Sequence, residues 1–125
     1  MHELSMAQGI FQTVMDTAEE NNAIEVTKVI VEVGHLAMIN PEQLSFLLDV
    51  IKEDTIADKA EFVINEIPVE IECKECGYVG DVSIDGLDHY APIIKCPNCD
   101  TPRITVKNGR DIIVKKIMIE QEGDD

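Results

Sequence analysis

Residues 23–36, AIEVTKVIVEVGHL, decide the fold. The stretch is β-branched and alternating, the pattern of a strand with one buried face. Thr27, Val29, Val31 and Val33 fall on one side, and Lys28 and Glu32 on the other with Val26 and Ile30. Gly34 ends the strand. On both flanks the apolar period becomes helical. In residues 5–22, SMAQGIFQTVMDTAEENN, the positions Met6, Ile10 and Val14 recur every four residues, and Ala7, Phe11 and Ala18 widen the stripe. Gly9 inside this helix costs about 1 kcal/mol relative to alanine, which is tolerated where something packs close to the backbone. Asn21-Asn22 is the expected stop. Residues 40–54, NPEQLSFLLDVIKED, read as a second helix. Asn40 is its N-cap, Pro41 its first residue, and Gln43 can reach back as a capping-box partner. Leu44, Leu47, Leu48 and Ile51 form its buried stripe.

Farther along, AEFVINEIPVEIE reads as a second long strand over 60–71, with an edge or a bend at Pro68. DIIVKKIMIE, after the Asn108-Gly109 turn, is a last strand. A helix between two neighbouring strands implies a parallel, right-handed crossover, and the last strand can return antiparallel to the second. The expected fold is α+β: two helices on a small mixed three-stranded sheet, with an inserted zinc-ribbon-like module. One domain takes 1–70 with 108–121, the inserted module takes 71–107, and 122–125 is a frayed tail.

The 125 residues suffice for one small domain carrying a smaller module. With no Trp, three Phe and two Tyr, the core must be built from Val, Ile, Leu and Met. A formal net charge of −15 opposes binding to nucleic acid or to an anionic membrane. No apolar run approaches the roughly 18 residues of a membrane span. The N-terminus lacks the basic-then-apolar pattern of an export signal, so the cytoplasm is the expected compartment. Disulfides are rare there, and four cysteines need another role.

Their spacing supplies it. CKEC at 73–76 and CPNC at 96–99 are two CxxC pairs, with 19 residues between Cys76 and Cys96. Two intervening residues let a tight turn aim both sulfurs at one ion, and two such turns complete a tetrahedral shell. Cys73, Cys76, Cys96 and Cys99 are therefore read as ligands of a structural Zn²⁺. Four thiolates leave no open position, so this metal is not a hydrolytic centre. Iron in a rubredoxin-like electron carrier is one alternative, but only Tyr78 and Tyr90 offer an aromatic shell. A zinc-ribbon interaction adaptor without mobile metal is another. Residues 70–107 carry four bases against seven acids, the wrong sign for a phosphate-binding surface.

Of the three histidines, His35 and His89 read as surface or packing residues. His2 differs because it lies beside the chain end. The Met1 amine, the His2 amide nitrogen and its Nδ1, and the Glu3 amide nitrogen cluster within three residues. Such nitrogen donors favour square-planar Ni(II) or Cu(II) over zinc.

MHE with Ser5, VGHL before PEQLSFLLD, CxxCG at 73–77, CPNC at 96–99 and the closing GRDIIVKKIMIE occur in one order along nearly the whole chain. Together they resemble the hydrogenase-maturation nickel metallochaperones of HypA type. The resemblance implies a nickel-binding α+β domain with an inserted zinc domain, and delivery of Ni²⁺ during assembly of [NiFe]-hydrogenase. It implies two partners, an accessory GTPase and the hydrogenase large subunit, and in some organisms service to urease. It maps the nickel ligand onto His2, with backbone nitrogens of Met1, His2 and Glu3 as candidates, and the zinc ligands onto Cys73, Cys76, Cys96 and Cys99. A carrier of this kind is not an enzyme.

Overall fold

The computed structural model describes residues 2–83 and 93–122. Helix α1 spans His2–Glu20, strand β1 Ala23–Gly34, and a 3-10 turn His35–Ala37. Helix α2 follows at Pro41–Ile51, then β2 at Glu61–Ile67, β3 at Val69–Cys73, β4 at Val79–Val82, β5 at Ile104–Asn108 and β6 at Ile112–Gln121. Two three-stranded sheets result, ordered β2-β1-β6 and β4-β3-β5. Among the described residues the chain forms two compact units. One comprises Met1–Glu32, Ile39–Asn65 and Ile113–Asp125, and the other Val33–Met38 and Glu66–Ile112.

In the first unit β1 lies at the centre of its sheet, as its valines require. Val26, Val29 and Val31 are fully buried. Val26 is buried although alternation places it beside Lys28, and its N–H donates to the Ile56 carbonyl at 2.9 Å. The expectation that β6 would pair with β2 is overturned, because β6 neighbours β1. Periodicity tells which face of a strand is buried, not which strand lies beside it. The Thr27 hydroxyl donates to the Met118 carbonyl, and the Gln121 amide donates to the Asn21 carbonyl. β1 ascends as β6 descends, so the pair is antiparallel. On its other side β1 neighbours β2, and Lys28 Nζ lies 3.9 Å from Glu61 Oε1 at the start of that strand.

Helix α1 begins three residues earlier than its sequence pattern suggests, at His2 rather than Ser5. Its buried stripe is Ala7, Ile10, Val14 and Ala18. Met6, expected in that stripe, is 41 % exposed. The small Ala7 takes the inward position one residue on, and α1 packs against α2. Nothing lies within 4 Å of where a Gly9 side chain would project, so close packing does not account for that glycine. The helix stops at Asn21-Asn22 as expected, with Asn22 at φ 55°. In α2, Leu44 and Leu48 carry the burial, while Phe46 on the opposite face is 65 % exposed.

The long strand expected over 60–71 is two strands in two sheets. Pro68 has no N–H for a ladder, and the chain leaves one sheet for the other there. In the second unit β3 is central and antiparallel to both neighbours. Ile71 lies opposite Gly80 on β4 and Val106 on β5, and Cys73 lies opposite Ile104. The turn-rich composition of this region concealed β4 and β5. Close backbone crossing fixes its base. The Leu36 N–H donates to the Gly109 carbonyl, and the Gly34 N–H to the Asp111 carbonyl, each at 2.9 Å. A side chain on Gly109 would collide with the Pro68 carbonyl, and the residue holds φ +88°. Gly109→Ala should therefore cost roughly 2–4 kcal/mol of stability. Chemical denaturation checks this, and a loss under about 0.5 kcal/mol would contradict the crossing.

Candidate metal centre

Strand β3 delivers the first cysteine. Its residues alternate in burial, with Val69, Ile71 and Cys73 buried. Parity therefore turns the Cys73 side chain inward at the end of the strand. The chain then makes a tight turn. The Gly77 N–H returns to the Cys73 carbonyl at 3.2 Å, and the Cys73 N–H donates to the Tyr78 carbonyl at 2.8 Å. Gly77 supplies the left-handed residue, φ +78°. The second pair repeats this construction. The Asp100 N–H reaches the Cys96 carbonyl and the Cys96 N–H reaches the Thr101 carbonyl, each at 2.8 Å. Here Asp100 takes the left-handed conformation, φ 65°. The Lys74 N–H donates to the Arg103 carbonyl at 3.1 Å and holds the two turns side by side.

The four sulfurs lie within 4.8 Å of one another. Cys73 Sγ is 3.5 Å from Cys99 Sγ, and Cys76 Sγ is 3.6 Å from Cys96 Sγ. No disulfide joins them. Zinc–sulfur bonds of about 2.3 Å in a tetrahedron separate the sulfurs by about 3.8 Å. The cluster has that size, and its soft donors fit Zn²⁺. Backbone N–H groups are aimed at the sulfurs, Glu75 and Cys76 at Cys73 Sγ at 3.4 Å and Asn98 at Cys96 Sγ at 3.3 Å. Cys73 and Cys96 are buried, Cys76 and Cys99 exposed.

The metal-free thiols hold their protons unequally. N–H donors from the Asn98 side chain and the Tyr78 backbone pull Cys76 down to about 6. The Thr101 N–H lowers Cys99, but desolvation and the three neighbouring sulfurs outweigh it and push that thiol up to about 12. The thiolate is therefore favoured at Cys76 and the thiol at Cys99.

Among the described residues these cysteines are the one group of three or more His, Cys, Asp or Glu side chains that could hold a metal ion. His35 instead places its Nε2 at 3.4 Å from Glu66 Oε1. Met1 and His89 lie outside the described residues. The backbone of His2 opens α1. The amide N–H groups of His2 and Glu3 thus belong to the first helical turn, which has no intrahelical acceptors. Glu3 has a role that its sequence context does not signal. Its Oε2 accepts from the Asn40 N–H at 3.1 Å. Half of the expected capping box is present, since Asn40 Oδ1 accepts from the Gln43 N–H at 3.1 Å. Glu3, 37 residues earlier, serves the other half in place of the Gln43 side chain.

The chain matches, over residues 1–119, the family model for HypA, hydrogenase/urease nickel incorporation, metallochaperone. It is similar to the hydrogenase maturation factor HypA of Methanobrevibacter smithii, 59 % identical over 125 residues, with all of both chains covered. It is 54 % identical over 122 residues to the factor of the same name from Methanothermobacter thermautotrophicus, covering 98 % of this chain and 99 % of that one. The solution structure of the Ni metallochaperone HypA from Helicobacter pylori shares the fold, with a TM-score of 0.66 at 20 % identity, covering 98 % of this chain and 100 % of that one.

Two expectations follow from this geometry. Glu3→Ala leaves the Asn40 N–H without its acceptor and should destabilise the protein by about 1–2 kcal/mol. Glu3→Gln keeps an acceptor oxygen and should recover most of that loss in thermal unfolding; two variants as stable as the parent would refute the cap. Metal uptake by the cysteines must displace the Cys99 proton, so titration at about pH 7 in weak buffer should release protons, and affinity should fall as the pH falls. Proton-neutral binding would contradict the unequal protonation.

Proposed function

Because the chain belongs to the HypA family, we propose that it is a nickel metallochaperone that carries Ni²⁺ for maturation of a [NiFe]-hydrogenase. The observation that carries this reading is the match to the family over nearly the whole chain, with both CxxC pairs closed into one tetrathiolate cluster. The reading separates two metals by role. Zn²⁺ is resident, held by Cys73, Cys76, Cys96 and Cys99, and Ni²⁺ is cargo, held at the chain end. Family membership favours this over a metal-free adaptor or an iron electron carrier.

Bound zinc supplies rigidity and no open coordination position. It joins two turns that lie at the ends of β3 and β5. The nickel ligand is His2, and backbone nitrogens of Met1, His2 and Glu3 are the further candidates. The His2 amide stands at the first position of α1, where the helix ladder supplies no acceptor, and this supports the reading. The positive end of the helix dipole opposes a cation there. Deprotonated amides offset that field, and such donors release their metal as the pH falls. A site of this kind is exchangeable, as cargo requires. The Glu3 carboxylate, occupied at Asn40, holds the first turn in place.

The carrier passes its ion to a partner offering better ligands and catalyses no turnover of its own. Its partners are the accessory GTPase of hydrogenase maturation and the hydrogenase large subunit, in the cytoplasm. Among the described residues no helix is long and apolar enough to cross a membrane. The acidic surface favours basic docking faces and disfavours nucleic acid. Nickel titration of the untagged protein tests the reading. His2→Ala should weaken nickel binding by at least about tenfold, the effect of losing about 1.4 kcal/mol, and leave zinc content intact. Unchanged nickel affinity and absorption spectrum would remove His2 from the site.

A further inference from the structure

The two cysteine turns repeat each other with one chemical difference. Glu75 and Asn98 occupy the same place, immediately before the second cysteine of each pair. The Glu75 carboxylate has no proton to donate at neutral pH, and it pairs with Arg103 at 3.4 Å. The Asn98 side chain carries an N–H, and its Nδ2 lies 3.4 Å from Cys76 Sγ, on the opposite turn. Its backbone N–H meanwhile donates to Cys96 Sγ, on its own turn, at 3.3 Å. Asn98 thus touches a sulfur of each pair. The amide must present nitrogen to Cys76, because its oxygen would set acceptor against acceptor. Among the described residues the other N–H donors to sulfur are main-chain groups of the same turn as the sulfur they serve: Glu75 and Cys76 to Cys73, Tyr78 to Cys76, and Thr101 to Cys99.

We propose that Asn98 is the positioning residue of the zinc site, tying the two cysteine turns together by donating its side-chain N–H to the Cys76 sulfur across the cluster. The proposal rests on the reading of the four cysteines as zinc ligands. Cys76 is exposed, so water and competing ligands reach its sulfur. An N–H bond draws electron density from the sulfur lone pair and slows protonation and ligand exchange there. The same bond keeps the second turn in register with the first while metal enters. Glu75 cannot do this for Cys99, so retention of the ion is uneven between the pairs.

Full-length protein, loaded with zinc or substituted with Co(II), tests this in three forms: the parent, Asn98→Ala and Asn98→Asp. Asn98 is exposed, and neither change disturbs the core. All three should bind one ion. Asn98→Ala should move the sulfur-to-cobalt charge-transfer band to longer wavelength, since the lone pair rises in energy without its N–H. It should also release zinc to a chromophoric chelator about 10- to 100-fold faster. Asn98→Asp, which sets a carboxylate against the thiolate, should release it faster still. An unchanged band and release rate in both variants would overturn the role of Asn98. Absence of a thiolate-to-cobalt band in the parent would instead overturn the reading of the cysteines.

Discussion

Proline 68 lacks the N–H that a ladder requires, and the division of the chain follows from it. β2 is an edge strand, and Pro68 offers no N–H with which to lengthen its ladder. The chain therefore starts a second sheet at Val69. Five residues of alternating burial then place Val69, Ile71 and Cys73 on one buried face. The first metal ligand is thus oriented by strand parity before any metal is involved. Antiparallel pairing of Cys73 with Ile104 brings the strand that follows the second CxxC turn alongside the first. Gly109 completes the arrangement, since only a residue without a side chain can pass the Pro68 carbonyl at that spacing.

Zinc proposed at the four cysteines would act on a framework that the chain already assembles. In each turn the backbone bonds that aim the sulfurs come from the chain itself. The metal contributes what the chain cannot provide for itself, which is neutralisation of several thiolates crowded into one volume. Desolvation and the neighbouring sulfurs together raise the Cys99 thiol. A small unit with little aromatic core gains from such a bond, because apolar burial alone stabilises a short three-stranded sheet weakly.

Much of this was legible in the sequence because the signals are local. Asn40 and Pro41 announce α2, Asn21-Asn22 ends α1, Gly34 ends β1, and paired CxxC turns announce a tetrathiolate. The start of α1 was missed because His2, Glu3 and Leu4 carry no cap or repeating stripe of their own. β4 and β5 were missed because two short strands in glycine- and proline-rich surroundings fall below what alternation can register. The contacts of Glu3 with Asn40 and of Asn98 with Cys76 span 37 and 22 residues. Each uses a residue whose sequence neighbours give no hint of its partner. Sheet order belongs to the same class, since β6 beside β1 depends on which strand can afford burial on both flanks.

The two metals proposed for this chain make opposite demands, and that opposition is what lets one short protein manage both. A tetrathiolate held by two rigid turns is soft, closed and tetrahedral, which suits zinc and resists an ion that prefers a square plane. Nitrogen donors of the kind proposed at the start of α1 are harder and dependent on amide deprotonation, which suits Ni²⁺ and lets it leave. Sorting therefore needs no difference in overall affinity. It follows from placing sulfur where strand register holds it rigid, and nitrogen at the start of a helix.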